Sequence, residues 1–148
     1  MIKISNKCIN EMGQFLEMGQ VVFLNKKTGK INQLADRNNP YYEEEFWEED
    51  YKKIEENSDD YIRIDQMESH KSFQIMEDFV DTVVSEETRK RLTQALNGYK
   101  PFRNFKHQID HSEERQNWFA FKINAYENFV RKHLSFHLKD SQLESEEE

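Results

Sequence analysis

Apolar residues recur most regularly between Phe73 and Ile109. Phe73, Met76, Val80, Val83 and Val84 fall at helical spacing, Ser85 restarts the chain, and Leu92, Ala95 and Leu96 form a second stripe that ends at Gly98. Pro101 opens a third segment, in which Phe102, Phe105 and Ile109 share one face. Three consecutive short helices are therefore predicted at the centre of the chain.

Before them the pattern changes period. Ile2 and Ile4 read as an extended entry, and Ser5 as the N-cap of a helix that carries Ile9, Met12, Phe15 and Leu16 on one side and stops at Gly19. Val21-Val22-Phe23-Leu24 is the strongest β signal. With Ile31 to Ala35 it makes a hairpin whose turn uses the positive φ that Gly29 supplies. Asp36 to Pro40 is a loop. Trp47, Tyr51 and Ile54 then give one apolar face to a helix whose acids meet solvent. Asn57 to Asp60 interrupts it, and Tyr61 to Asp65 alternates as a third strand with Ile62 and Ile64 inward.

Ser112 with Glu113 and Glu114 starts a long final helix through Trp118, Phe119, Ile123, Tyr126, Val130 and Leu134. Phe121, Ala125 and Phe129 spread apolar surface nearly all round it, so this helix is expected to be deeply buried or shared with a second subunit. The sum is an α+β fold: a three-stranded antiparallel sheet, Gln20 to Asn25, Lys30 to Ala35 and Tyr61 to Asp65, packed against a bundle of about five helices. Three strands cannot stand alone, so the sheet is expected to lie against the helical region after Ser69. Residues 1–138 read as a single domain. Residues 139–148, without pattern and rich in acid, read as a disordered tail.

A chain of 148 residues buries roughly 70% of its unfolded surface, enough for a core without disulfides or metal. Cys8 is the single cysteine, so no internal bridge forms, and a reducing cytoplasm is expected. The opening MIKISNKCIN lacks the apolar run of a signal peptide, and no stretch approaches the ~18 apolar residues of a membrane span.

The net charge of −8 is unevenly distributed. Residues 41–60 hold ten acids against two lysines, residues 98–139 hold eight Lys or Arg against four acids, and the tail from Asp140 holds five acids and no base. An acidic chain with a basic, aromatic last third disfavours bulk nucleic-acid binding and leaves room for a local basic patch.

Candidate chemistry is sparse. The TGK at Thr28 to Lys30 lacks the upstream glycine of a phosphate loop, and there is no GxSxG. Cys8 lies near an apolar face with only Lys7 as a neighbouring base, so it reads as packing. His107 with His111, and His133 with His137, are i, i+4 pairs that could chelate a divalent ion, yet HQIDH lacks the glutamate of either zincin pattern. No metal and no cofactor is expected.

Two surfaces remain. The acidic aromatic segment offers Tyr42, Phe46, Trp47 and Tyr51 to a basic protein partner, against the plainer reading of a solvated helix. The FRNFK cluster places Lys100, Arg103 and Lys106 beside the free amides of a helix start, and Arg115 and Lys122 extend it into a basic patch interleaved with aromatics. Against that stands pairing of Arg103 or Lys106 with Glu77 or Asp78. The favoured function is a non-catalytic binding or regulatory module engaging another protein. The alternative is anion, phosphate or nucleic-acid binding at residues 100–122. A homodimer is compatible with the last helix, and no membrane is involved.

Ser69, the run Phe73 to Phe79 with MEDF, then Arg91, Leu92, Ala95, Leu96 and Gly98, FRNFK, and Trp118 with Phe119 and Phe121 resemble an uncharacterised bacterial protein family, the UPF family numbered 0158. The resemblance extends over most of the chain and is looser in the acidic segment and the tail. It implies a small bacterial cytoplasmic protein and brings no activity, substrate or catalytic residue with it.

Overall fold

The computed structural model describes residues 2–145. Among them are six α-helices and one three-stranded antiparallel sheet, the α+β fold that the pattern suggested. The chain forms two compact units: residues up to Gln66 together with those from Tyr126 onward, and Met67–Ala125.

The first unit is built on a sheet of β1 (Gln20–Asn25), β2 (Ile31–Ala35) and β3 (Tyr61–Ile64), in the order β2-β1-β3. Asn25 shapes the hairpin turn, its side-chain oxygen accepting from the amides of Lys27 at 2.8 Å and Thr28 at 3.1 Å, and Gly29 takes φ +75°. Pairing sets Val22 opposite both Gln33 and Ile64, and Leu24 opposite both Ile31 and Ile62.

Because side chains alternate across a strand, Val22 and Leu24 share a face with Ile62 and Ile64, and Val21 and Phe23 take the other. Both faces are buried. On the first lie Ile9, Met12 and Leu16 of α1 (Asn6–Glu17) together with Val130 and Leu134. On the second lie Leu34 and the Tyr51 and Ile54 side chains of α2 (Glu44–Glu56).

The expected cover, the helical region after Ser69, is thus corrected to α1, α2 and the last turns of α6 (Arg115–Leu134). The unbroken run of apolar residues in β1 is the physical reason: a central strand buried on both sides needs two covers, not one.

Ser5 caps α1 by accepting the Cys8 amide at 3.1 Å, and Gly19 ends the helical path at φ +90°. Gly13 lies buried in α1, where an added Cβ would stand 3.3 Å from the Cβ of Tyr126. Part of the segment expected to be a loose tail is held. Asp140–Gln142 form one 3-10 turn, Leu143 bridges Ile4 in parallel, and the Ile4 amide donates to the Gln142 carbonyl at 2.6 Å. The Arg131 guanidinium donates to the Glu144 carbonyl at 2.6 Å and to the Asn6 side chain. Residues 146–148 of that expected tail lie outside the described residues.

The second unit contains α3 (Ser69–Val80), α4 (Glu86–Asn97), α5 (Pro101–Asp110) and the opening of α6. Ser85 caps α4 through the Thr88 amide at 3.3 Å, and the buried Thr88 hydroxyl donates to Glu113 at 2.7 Å. Trp118 is central to its core, with Phe79 at 5.2 Å and Phe105 at 5.1 Å between ring centroids, both edge-on. Val84 and Phe102 depart from the expected stripes, at 89% and 44% exposed. For Val84 the cause is that α3 ends at Val80, so the helical period no longer applies four residues on.

The surplus of apolar positions on α6 has an account within one chain. Trp118, Phe119 and Phe121 pack in the core of the second unit, whereas Tyr126, Phe129, Val130 and Leu134 pack in that of the first.

The tight approach at Gly13 generates a test. Gly13→Val puts a branched side chain where even a Cβ is crowded, and it is expected to lower stability by about 2 kcal/mol. A urea midpoint unchanged from the parent would contradict this packing.

Candidate functional site

The acidic segment is organised from its inner side. Tyr51, fully buried, donates its hydroxyl to the Ala35 carbonyl at 2.6 Å and meets the rings of Phe23 at 5.9 Å and Tyr42 at 6.3 Å. The Arg37 guanidinium stacks 4.0 Å from the centre of the Tyr51 ring. It donates to both carboxylate oxygens of Glu48, at 3.0 and 2.8 Å, and to Glu55 at 2.7 Å. The Tyr42 hydroxyl donates to Glu48 as well.

These contacts shift the acids and bases in the directions chemistry requires. Glu48 is held below the usual carboxylate range, first by Arg37 and then by Tyr42. Tyr42 is pushed up to about 12, by burial and then by the acceptor it faces, and burial likewise raises Tyr51.

Of the four aromatics singled out from the sequence, Tyr51 therefore belongs to the core. Tyr42 and Trp47 are half-buried against it. Phe46 alone points outward, at 69% exposed, and Tyr41, which helical periodicity did not single out, is 87% exposed. Tyr41 precedes α2, so no helical stripe could have marked it. The exposed carboxylates of Glu43, Glu44, Glu45 and Asp50 accompany these two rings in sequence, and none of the four makes an ion pair among the described residues.

The basic candidates divide. Lys106 and Arg115 both approach Asp110, each at 3.7 Å. Arg115 lies 4.7 Å from the Phe119 ring centre, and Lys122 lies 5.3 Å from the same ring and 5.7 Å from that of Trp118. Lys100 and Arg103 stand apart from that set, at the start of α5. The pairing with Glu77 or Asp78 does not form: Asp78 accepts from Gln74 at 2.8 Å, and Arg103 has no ion pair among the described residues.

The histidine pairs are neighbours, with ring centroids 4.4 Å apart for His107 and His111 and 5.7 Å for His133 and His137. His111 spends Nδ1 on the His107 carbonyl at 2.8 Å. Among the described residues no group of three or more His, Cys, Asp and Glu is arranged to hold a metal ion.

Cys8 lines an open groove of about 430 Å³ with Ser5, Lys7, Glu11, Phe15, Gly29, Ile31 and Gln33. Burial, and then the charge of Glu11, push its thiol up to about 11, so at neutral pH it is protonated and a poor nucleophile. Among the described residues no helix is long and apolar enough to cross a membrane.

The sequence model of the Uncharacterised protein family (UPF0158) matches residues 2–145. The chain belongs to that family. No curated protein and no solved structure matches the chain. The residues that carry the likeness to UPF0158 are mostly packing residues: Phe73, Met76, Phe79, Leu92, Leu96, Phe105 and Trp118 all lie in or against one core. In FRNFK only Phe105 is buried, and Phe102, Arg103, Asn104 and Lys106 are exposed.

The Arg37 network makes a pH prediction. A carboxylate with a depressed folded-state pKa contributes stability that is complete above its ordinary pKa and is lost as pH falls through its lowered one. In Arg37→Ala the Glu48 titration, followed by carboxyl NMR, is expected to move up toward the ordinary carboxylate range. The stability difference between parent and variant should stay constant at neutral pH and narrow only as pH falls through the parent's Glu48 midpoint. An unmoved Glu48 midpoint would refute the contact. Separately, Tyr51→Phe removes the bond to Ala35 and should cost about 1 kcal/mol in thermal denaturation, with the fold retained.

Proposed function

We propose that this member of UPF0158 is a non-catalytic binding or regulatory module that engages a basic protein partner through the outer side of α2. The observation that supports it best is the exposure of Tyr41 and Phe46 beside carboxylates that no base of the described chain neutralises. A solvated helix gains nothing from two large rings in water. A partner contact does, since buried aromatics contribute most of the affinity at interfaces while rim charges steer the approach.

The inner side supports the same reading. Tyr51, Trp47 and the Arg37 network fix α2 on the sheet, so little ordering is left for the moment of binding. The partner chemistry that fits is a Lys- or Arg-rich surface with an apolar recess for Phe46. A bacterial cytoplasmic setting accords with the family resemblance and with Cys8 as a lone thiol.

The test compares baits. Full-length protein and a Tyr41→Ser, Phe46→Ser double variant are used to capture proteins from bacterial lysate at matched concentration, with quantitation by mass spectrometry. A basic protein enriched at least about tenfold by the parent and lost by the variant is expected, as for the removal of two interfacial aromatics. Equal recovery by both baits, or recovery of nothing by either, overturns the reading.

A further inference from the structure

Going beyond the protein-partner reading, a different surface carries its own chemistry. Gly98, Tyr99 and Lys100 join α4 to α5, and the tip is unusual in three respects.

Tyr99 is 81% exposed, and the Lys100 ammonium lies 5.4 Å from the centre of its ring. Lys100 occupies the left-handed region at φ 48°, the one non-glycine residue with positive φ among the described residues. The glycine of this turn stands two positions earlier, at an ordinary φ of −102°. A lysine there adopts a backbone conformation that glycine takes more readily.

Third, the tip is braced. Asn104 donates its side-chain amide to the Tyr99 carbonyl at 2.6 Å, the Asn104 amide returns to the Lys100 carbonyl at 3.0 Å, and Pro101 fixes the first helical φ. Phe102 is half-exposed and leans edge-on against Phe73 at 6.3 Å. Neither Lys100 nor Arg103 has an acidic partner among the described residues.

An exposed ring, two cations without an acidic partner among the described residues and a braced turn are what a stacked base with flanking phosphates requires. Charge does not oppose this. Residues 67–125 hold nine Lys and Arg against nine Asp and Glu, so the whole net charge of −8 resides in the rest of the chain.

We propose that the α4–α5 turn is a docking site for single-stranded RNA, with Tyr99 stacking on an unpaired base and Lys100 and Arg103 contacting phosphates. A single strand is required because a protruding ring can stack only on a base free of its partner. RNA is the occupant because cellular DNA keeps its bases paired inside a duplex.

The probe is a fluorescein-labelled single-stranded pyrimidine 12-mer RNA, titrated with the full chain and followed by anisotropy at several salt concentrations. Tyr99→Ala is expected to weaken binding about tenfold, the effect of removing one stacking platform. Arg103→Ala is expected to weaken it and to flatten the log–log salt dependence by about 0.7, one phosphate contact on a single strand. Lys100→Gly relieves the left-handed strain and should match or exceed the parent in thermal stability, so its weaker binding cannot be unfolding. Absence of binding at 50 mM salt, Tyr99→Ala binding as tightly as the parent, or tighter binding to a duplex of the same length each overturns the proposal.

Discussion

The structure of the first unit depends on the burial of one four-residue run from both sides. Val21 to Leu24 alternate between two cores, so β1 is buried on both sides only where α1 and the end of α6 close on one face and α2 closes on the other. Burying a Val, Leu or Phe side chain contributes about 1.5–3 kcal/mol, and here four consecutive residues contribute at once. That constraint also fixes which side of α2 is free. With Tyr51 and Ile54 committed to Phe23 and Leu34, the acids and Phe46 have only the solvent side left.

Electrostatics plays a different part in the same region. Arg37, Glu48, Glu55 and Tyr42 form a network near the surface, where ion pairs contribute little to stability. Its effect is geometric. The planar guanidinium, stacked on Tyr51 and forked onto Glu48, ties the loop before α2 to the body of that helix. The negative charge of Glu48 and Glu55 is spent on that tie, which leaves the acids near the start of α2 as the unpaired ones.

Much of the architecture was legible because local chemistry and packing agree. Ser5 and Ser85 cap where a hydroxyl precedes an apolar stripe, Gly19 and Gly29 hold positive φ, and the three strands lie within a residue of their expected bounds. What a one-dimensional pattern cannot carry is the number of cores a segment serves. α6 was expected to be deeply buried or shared with a second subunit, and within this chain its apolar residues divide between two cores. On α2, periodicity correctly turned Trp47, Tyr51 and Ile54 inward, so Tyr51 was never compatible with a surface role. At the basic end, residue type identified Lys100 and Arg103, but only the backbone showed Lys100 in a left-handed turn braced by Asn104.

The first unit is also discontinuous along the chain, and its clasp between Ile4 and Leu143 joins residues near opposite ends of the described sequence. Synthesis runs from the N-terminus, so the ribosome releases α1 and the whole sheet long before Val130, Leu134 and Leu143 exist to cover them. The helical unit of residues 67–125 is one continuous stretch and is complete earlier. A nascent chain of this protein therefore carries a sheet face covered by α1 alone until Val130 and Leu134 are made, the interval in which a holding chaperone has most to protect.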